Sequence, residues 1–271
     1  MSQEPIAIIG GGNMAEAIIK GLLSGGVTPQ FITVAEVEPA RRAYLQQQFS
    51  LTVSESSLPL LPAASIIILA VKPQVADTVL RAMAAAPMTN KLVISIMAGV
   101  RAATIEELLP KGCRVIRAMP NTPALVLAGA TAISAGSNAT DDDLSRAKTI
   151  FDRIGKTLTV DEKLMDAVTA LSGSGPAYVF TFIEALSDAG VKNGLPRAVA
   201  TELAVQTVLG SAQLLRESGE HPALLRDKVT SPGGTTIAGL AALEREGFRS
   251  AVIAAVDAAT LRAKELGGEK R

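Results

Sequence analysis

One ten-residue stretch, IAIIGGGNMA at residues 6–15, constrains the fold more than any other. Its first four residues are apolar and make a short strand buried on both faces. Gly10, Gly12 and Ala15 follow at the G-x-G-x-x-G/A spacing, and a helix-forming run begins at Met14. A strand, a glycine turn and a helix in immediate succession are the context in which that spacing holds a dinucleotide. The reasons are steric and electrostatic. Gly10 permits the tight turn, Gly12 lacks the Cβ that would keep a pyrophosphate off the backbone, and Ala15 lets the helix pack close to the strand. The free N–H groups and the positive dipole end of the helix then hold the phosphates. The plain alternative is a glycine-rich turn that binds nothing; the strand and helix on either side weigh against it.

The first half of the chain continues the alternation. Apolar strands are expected at 31–35, 51–53, 65–71, 92–97, 114–118, 130–134 and 157–160. Helices are expected from Pro39 and at 74–86, 101–109 and 141–154. The run SIIILAV at 65–71 is unbroken, as a strand covered on both faces requires. This pattern predicts an α/β Rossmann domain over 1–161, with a doubly wound, mostly parallel sheet. After residue 161 strand patterns vanish. An all-α C-terminal domain is expected over 162–271, with helices at 163–171, 176–190, 196–217, 222–229, 235–246 and 248–266. Pro176, Pro196 and Pro222 suit first helical turns, and Gly190, Gly219 and Gly247 suit helix ends. Residues 198–215 and 251–261 are apolar nearly all round, more surface than a small helical domain can bury. A homodimer through the helical half is expected, a monomeric bundle being the alternative.

Composition closes off several function classes. The chain has 271 residues, 48% of them hydrophobic, enough for one large or two ordinary domains with sizeable cores. Its 26 basic and 26 acidic residues balance, no basic run exceeds Arg41–Arg42, and there is no Trp. Neither an electrostatic footprint nor a stacking platform for nucleic acid is present. No apolar run approaches the ~20 residues of a membrane span, and the first residues lack the basic segment of a signal peptide. Lone Cys113 precludes an internal disulfide. A soluble, cytoplasmic protein without nucleic-acid or membrane partners is expected.

The inventory of reactive groups is short. The one histidine, His221, stands beside a helix start and is read as a surface or capping residue. Cys113 opens a strand and is read as a buried thiol. HExxH and CxxC are absent, so no metal is expected, and a lone histidine without GxSxG makes no triad. Chemistry therefore falls to a cofactor that the protein positions. Glu36 ends the second strand, about 20 residues past the glycine loop, where a ribose is read. Two hydroxyl- and glycine-rich turns, LSGSGPA at 171–177 and VTSPGGTT at 229–236, run into helices. Backbone N–H groups there would hold a carboxylate without an arginine, Ser174, Thr235 and Thr236 adding hydroxyl donors. Ordinary helix capping is the alternative reading of both turns.

These motifs, in this order, resemble the pyrroline-5-carboxylate reductases. The most specific stretch is LLRDKVTSPGGTTIAGLAALE at 224–244. Beside it stand IGGGNMA at 9–15, AVKPQ at 70–74, SIMAG at 95–99, RAMPNTPA at 117–124, ALSGSGPAYVF at 170–180 and GLPR at 194–197. The resemblance runs nearly end to end. It implies hydride transfer from NADPH or NADH to the C=N bond of L-1-pyrroline-5-carboxylate, giving L-proline in the last step of proline biosynthesis. It also implies a dimer through the helical domain, assembled further into decamers in some members. By this resemblance the pyrophosphate lies over Gly10, Gly11, Gly12, Asn13 and Met14. Ala70, Val71, Lys72 and Pro73 flank the ribose and nicotinamide together with the turn holding Ser95 and Met97, and Asn121 borders the nicotinamide pocket. Substrate rests on the turn 231–236, with Ser174, Gly233, Gly234, Thr235 and Thr236 as its implied contacts.

A cyclic imine needs no strong base, only a hydrogen-bond donor near its nitrogen, which agrees with the inventory. Thr236 is the implied donor, with the Gly234 and Thr235 N–H groups holding the carboxylate; Lys72 is the alternative proton donor. Glu36 favours a ribose 2′-hydroxyl and repels a 2′-phosphate, whereas Arg41 and Arg42 would answer that phosphate, so both cofactors stay in play. Another two-domain reductase acting on imines or β-hydroxyacids is a rival reading, against which the SPGGTT turn argues. A nucleotide sensor without turnover is a second rival.

Overall fold

The computed structural model describes residues 4–268. By packing, residues 4–174 and 259–268 form one compact unit and 175–258 a second. In the first unit strands and helices alternate: β1 Ile6–Ile9, α1 Asn13–Ser24, β2 Ile32–Ala35, α2 Pro39–Phe49, β3 Thr52–Ser54, β4 Ile66–Leu69, α3 Ala76–Ala84, β5 Leu92–Ser95 and α4 Ala102–Leu108. There follow β6 Arg114–Met119, β7 Gly129–Ala135, α5 Asp141–Phe151, β8 Gly155–Thr159 and the short α6 Met165–Val168.

The eight strands form one sheet in the order β3-β2-β1-β4-β5-β6-β7-β8. Every pairing is parallel except β6 with β7. Ile6 of β1 stands opposite Ile32 of β2 on one side and Ile66 of β4 on the other. The sheet therefore grows outward from β1 in both directions, which leaves a crevice beyond the carboxyl ends of β1 and β4. Side chains alternate between two apolar layers. Ile6 and Ile8 pack with Ile18, Ile19 and Leu22 of α1 on one face. Ala7 and Ile9 pack with Ile67, Leu69, Leu80 and Met83 on the other. Burial on both faces explains why β1 and β4 read as unbroken apolar runs and β5 as one up to Ser95. The α/β domain with a mostly parallel sheet is as the sequence predicts; the antiparallel β6–β7 pair left no mark on the periodicity.

The expected single helix at 163–171 is instead three pieces. A 3₁₀ turn at Glu162–Leu164 leads into α6, then a π-helical stretch at Thr169–Gly173. Packing of the first unit extends past residue 161 because these turns are tied to the sheet. The Arg117 guanidinium, buried on β6, faces Glu162 at 3.5 Å and Asp166 at 3.7 Å.

The second unit holds α7 Gly175–Lys192, α8 Arg197–Ser218, α9 Pro222–Lys228, α10 Thr235–Arg245 and the first turns of α11 Phe248–Leu266. On α7, a Cβ on Gly190 would lie 2.9 Å from that of Ala200 on α8, so the two helices meet closely there. Beside that contact the Ser187 hydroxyl hydrogen-bonds Thr201 (2.8 Å) and accepts from Arg197 (2.9 Å). Among residues 175–258 only Ser187, Ala200 and Ala204 are buried. Phe180, Leu203, Leu209 and Ile253 are more than half exposed. By length and hydropathy α8 would suffice to cross a membrane, yet only 11% of its most apolar stretch is buried within the chain. The sequence marks 198–215 as apolar nearly all round, but scattered polar residues keep any unbroken apolar run short of a membrane span.

Candidate functional site

A groove of about 700 Å³ opens at the carboxyl ends of β1, β2 and β4. Gly10, Gly12, Glu36, Val37, Val71 and Lys72 line it, and Val79 and Ala82 of α3 contribute a further wall. The three glycines of the loop do not share one surrounding. Gly10 has φ +99°, and a Cβ there would lie 2.6 Å from the Ala70 carbonyl oxygen. Gly11 is tight as well: its Cβ would meet Leu45 at 2.7 Å. Gly12 is different. Its φ is −68°, open to any residue, and a Cβ would meet nothing within 4 Å. Neither strain nor packing within the chain requires glycine at 12. The open space matches a ligand passing over the backbone there, as expected for a pyrophosphate.

Gly12 is also the N-cap of α1, and no side chain caps that helix start. The N–H groups of Asn13 and Met14 thus begin the helix without intrahelical partners, the arrangement that holds an anion. Ala15, 1% exposed, sits where a larger side chain would push α1 off the sheet.

Glu36 is fixed on both carboxylate oxygens. Oε2 accepts the Gly11 N–H at 2.7 Å and Oε1 the Glu38 N–H at 2.9 Å. Arg41 and Arg42, the cations expected to answer a 2′-phosphate, are engaged elsewhere. Arg41 donates to the carbonyls of Gly11 and Gly12 and to Glu16 Oε2. Arg42 donates to the carbonyls of Glu36 and Val37, each at 2.8 Å. Nothing in the sequence announced the Arg41 contacts, since they span 25 to 30 residues and exist only because β2 pairs with β1.

The remaining expected contacts fall in two groups. Ala70, Val71, Lys72 and Pro73 follow β4, with Ala70 held by its N–H to the Ile9 carbonyl (2.8 Å) and Lys72 exposed. Ser95 and Met97 are buried, and the Ser95 hydroxyl accepts the Met97 N–H at 3.3 Å, so their side chains fix the turn after β5 from within the core. The Asn121 amide is engaged at both ends: its oxygen accepts the Ala130 N–H (2.8 Å) and its nitrogen donates to the Ser172 carbonyl (3.0 Å). That tie joins the turn after β6 to the π-helical stretch, and such stretches recur at functional sites. Ser174 closes it, its N–H donating to the Thr169 carbonyl at 2.8 Å.

In the second unit the turn 231–236 carries Gly233 at φ +67°. A Cβ on Gly234 would fall 2.3 Å from the Ser231 hydroxyl, so the turn itself demands glycine there. The Gly234 N–H, expected to hold a carboxylate, instead donates to the Ser231 carbonyl at 3.1 Å. The N–H groups free at this helix start are those of Thr235 and Thr236. Side-chain capping, the plain reading of this turn, is absent: Gly234 is the N-cap and no hydroxyl bonds the helix start. The half-buried Thr236 hydroxyl makes no hydrogen bond among the described residues.

His221 caps α9, its Nδ1 accepting the Ala223 N–H at 3.2 Å. Cys113 is buried as expected, and burial, followed by the charge of Glu106, pushes its thiol up. Among the described residues no cluster of three or more His, Cys, Asp or Glu is placed to hold a metal.

Comparison with known proteins decides the family. A family described as "Pyrroline-5-carboxylate reductase dimerisation" matches residues 162–266, and one described as "NADP oxidoreductase coenzyme F420-dependent" matches 5–99. A pyrroline-5-carboxylate reductase of Synechocystis is 53% identical over 263 residues, covering 97% of this chain and 98% of that protein. The chain belongs to the pyrroline-5-carboxylate reductase family. The solved structure of the reductase from Coxiella burnetii superposes with a TM-score of 0.92 at 37% identity, covering 98% of this chain and 99% of that one. That of the Plasmodium falciparum enzyme, solved with NADP bound, gives 0.89 at 34% identity, covering 98% and 99%. The matched dimerisation segment begins just after β8 and takes in all of α8, the apolar helix left uncovered in the single chain.

Proposed function

We propose that this enzyme reduces L-1-pyrroline-5-carboxylate to L-proline, the last step of proline biosynthesis, with NADPH and, less specifically, NADH. The observation that carries the cofactor reading is Gly12: an unstrained glycine with open space at its missing Cβ, capping a helix that no side chain caps. The pyrophosphate rests over Gly10, Gly11, Gly12, Asn13 and Met14, the adenosine ribose beside Glu36, and the nicotinamide end against Ala70, Val71, Lys72, Pro73, the turn of Ser95 and Met97, and Asn121. When bound, the cofactor supplies the hydride.

The chain's own residues do the rest. The first-turn N–H groups at Thr235 and Thr236 hold the substrate carboxylate at a positive helix end. The unengaged Thr236 hydroxyl would donate a hydrogen bond to the imine nitrogen and pass it a proton drawn from solvent through the same hydroxyl, so that this proton and the hydride supplied by the bound cofactor complete the amine. Gly233 and Gly234 give that turn its shape, and Ser174, in the first unit, is assigned to the substrate from its own hydroxyl-rich turn. Lys72, exposed beside the cofactor groove, serves the cofactor rather than the proton.

The functional division follows residues 1–161 for the nucleotide and 162–271 for substrate and dimerisation. The helical segment pairs with a second copy, because a unit whose buried residues are only Ser187, Ala200 and Ala204 has no core of its own. Assembly of dimers into decamers and a cytoplasmic setting complete the proposal.

The test is oxidation of NADPH and NADH, followed at the nicotinamide absorbance with and without the imine. Imine-dependent oxidation is expected; binding of both cofactors without oxidation would replace this reading by that of a nucleotide sensor.

A further inference from the structure

We propose that Arg41 is a positioning residue of the cofactor site: it clamps the glycine loop from behind and does not read the 2′-phosphate. The inference rests on the cofactor lying over residues 10–14, as proposed above. Arg41 Nε donates to the Gly11 carbonyl. Its Nη2 donates to the Gly12 carbonyl at 3.3 Å and to Glu16 Oε2 at 2.7 Å. The guanidinium lies over the Tyr44 ring, 4.8 Å from its centroid.

Covalent geometry turns these contacts into a statement about the phosphate site. A trans peptide is planar, with its C=O and N–H pointing in opposite directions. The Gly11 carbonyl shares a peptide with the Gly12 N–H, and the Gly12 carbonyl shares one with the Asn13 N–H. Arg41 pins the Gly11 carbonyl and shares the Gly12 carbonyl with the Glu16 N–H (3.0 Å), so both peptide N–H groups are aimed away from it. Glu36 takes the Gly11 N–H from the same segment after β2, so both backbone groups of Gly11 are held. Three consecutive glycines have little conformational preference of their own, and this is where an external clamp matters most. The carbonyl oxygens, which would repel an incoming phosphate, are neutralised in the same stroke.

The clamp is itself anchored. Glu16 is buried in the first turns of α1, where an unpaired carboxylate would oppose a bound anion. Its Oε1 takes Lys20 at 2.8 Å and the Tyr44 hydroxyl at 3.1 Å, and its Oε2 takes Arg41. Burial pushes this carboxyl up, but hydrogen bonds from Lys20, Arg41 and Tyr44 outweigh it and hold it ionised. With Nε and Nη2 committed to the loop and to Glu16, and the guanidinium stacked on Tyr44, turning Arg41 toward the ribose would break the clamp.

The wild type, Arg41→Ala and Arg41→Lys are compared by calorimetric binding of NADP⁺ and NAD⁺, by KM and kcat for the reduced cofactors, and by melting without cofactor. The clamp predicts that Arg41→Ala weakens both cofactors about tenfold and in parallel, the loss of one charged hydrogen bond's ordering, with kcat within about twofold. Arg41→Lys, a single point donor, falls between. Loss confined to NADP⁺ and NADPH would make Arg41 a 2′-phosphate ligand and overturn the clamp. So would a lowered melting temperature with both affinities intact, in either variant. Absence of binding by the wild type would overturn the cofactor reading itself.

Discussion

Gly12→Ala separates what the glycine loop does for folding from what it does for binding. At φ −68° and ψ −173° alanine is unstrained, and its Cβ meets nothing within 4 Å. Restricting the unfolded chain stabilises by about 0.4–1 kcal/mol. Alanine is the poorer N-cap, which costs a similar few tenths to 1 kcal/mol. The two nearly cancel, and at ~2–4 °C per kcal/mol the melting temperature should stay within about 2 °C. Binding does not cancel. A methyl where the pyrophosphate crosses lifts it from at least one charge-assisted N–H bond, a loss of about 1.5–3 kcal/mol. That is roughly 10- to 150-fold in affinity, equal for NADP⁺ and NAD⁺ because the pyrophosphate is common to both. Differential scanning calorimetry and titration calorimetry read the two halves. Unchanged affinity for both cofactors would refute the reasoning, since the open space above Gly12 would then hold no phosphate. Gly10→Ala is the contrast: φ +99° and a backbone oxygen 2.6 Å from the new methyl should destabilise the fold outright.

Three further outcomes follow from the same geometry. Glu36→Gln keeps size but removes the charge beside the ribose, and should raise the NADPH-to-NADH ratio of kcat/KM about tenfold; an unmoved ratio would show that Glu36 serves only the loop. Thr236→Ala should lower kcat roughly 10²-fold while leaving cofactor binding intact, and an unchanged kcat would remove its hydroxyl from proton delivery. Glu16 has a folded value below its usual 4.5, so its stabilising contribution is present at neutral pH and lost as pH falls through that lowered value. Melting temperature against pH should accordingly drop below about pH 4.5 in the wild type, and Glu16→Gln should be less stable at pH 7 and flatter in acid; parallel curves would refute the linkage.

Much of the fold was legible because burial on both faces writes itself into composition. Residues 6–9 and 66–69 are unbroken apolar runs and 92–95 is apolar up to Ser95, and each is a central strand. The loop was legible for the same kind of reason: Gly10 and Gly12 are separate steric demands at fixed spacing. What stayed hidden depends on hydrogen-bond partners, distant or local, that only the folded backbone supplies. Arg41 and Arg42 read as free cations near a ribose, but strand pairing brings the Gly11 and Gly12 carbonyls to Arg41, and the loop after β2 turns its own Glu36 and Val37 carbonyls onto Arg42. Asn121 read as a pocket residue, yet its amide ties two turns together, one of them a π-helical stretch that no periodicity announces. The Gly234 N–H read as a carboxylate donor, but closing the turn onto Ser231 uses it.

The central claim is that hydride passes to the carbon of a cyclic imine carrying a carboxylate. Reduction of L-1-pyrroline-5-carboxylate with NADPH deuterated at its transferable hydrogen, followed by mass spectrometry of the amino acid formed, tests it most directly. Proline one mass unit heavier is expected, with the label on the ring carbon that was doubly bonded to nitrogen. Unlabelled proline, or cofactor consumed without proline, would contradict it.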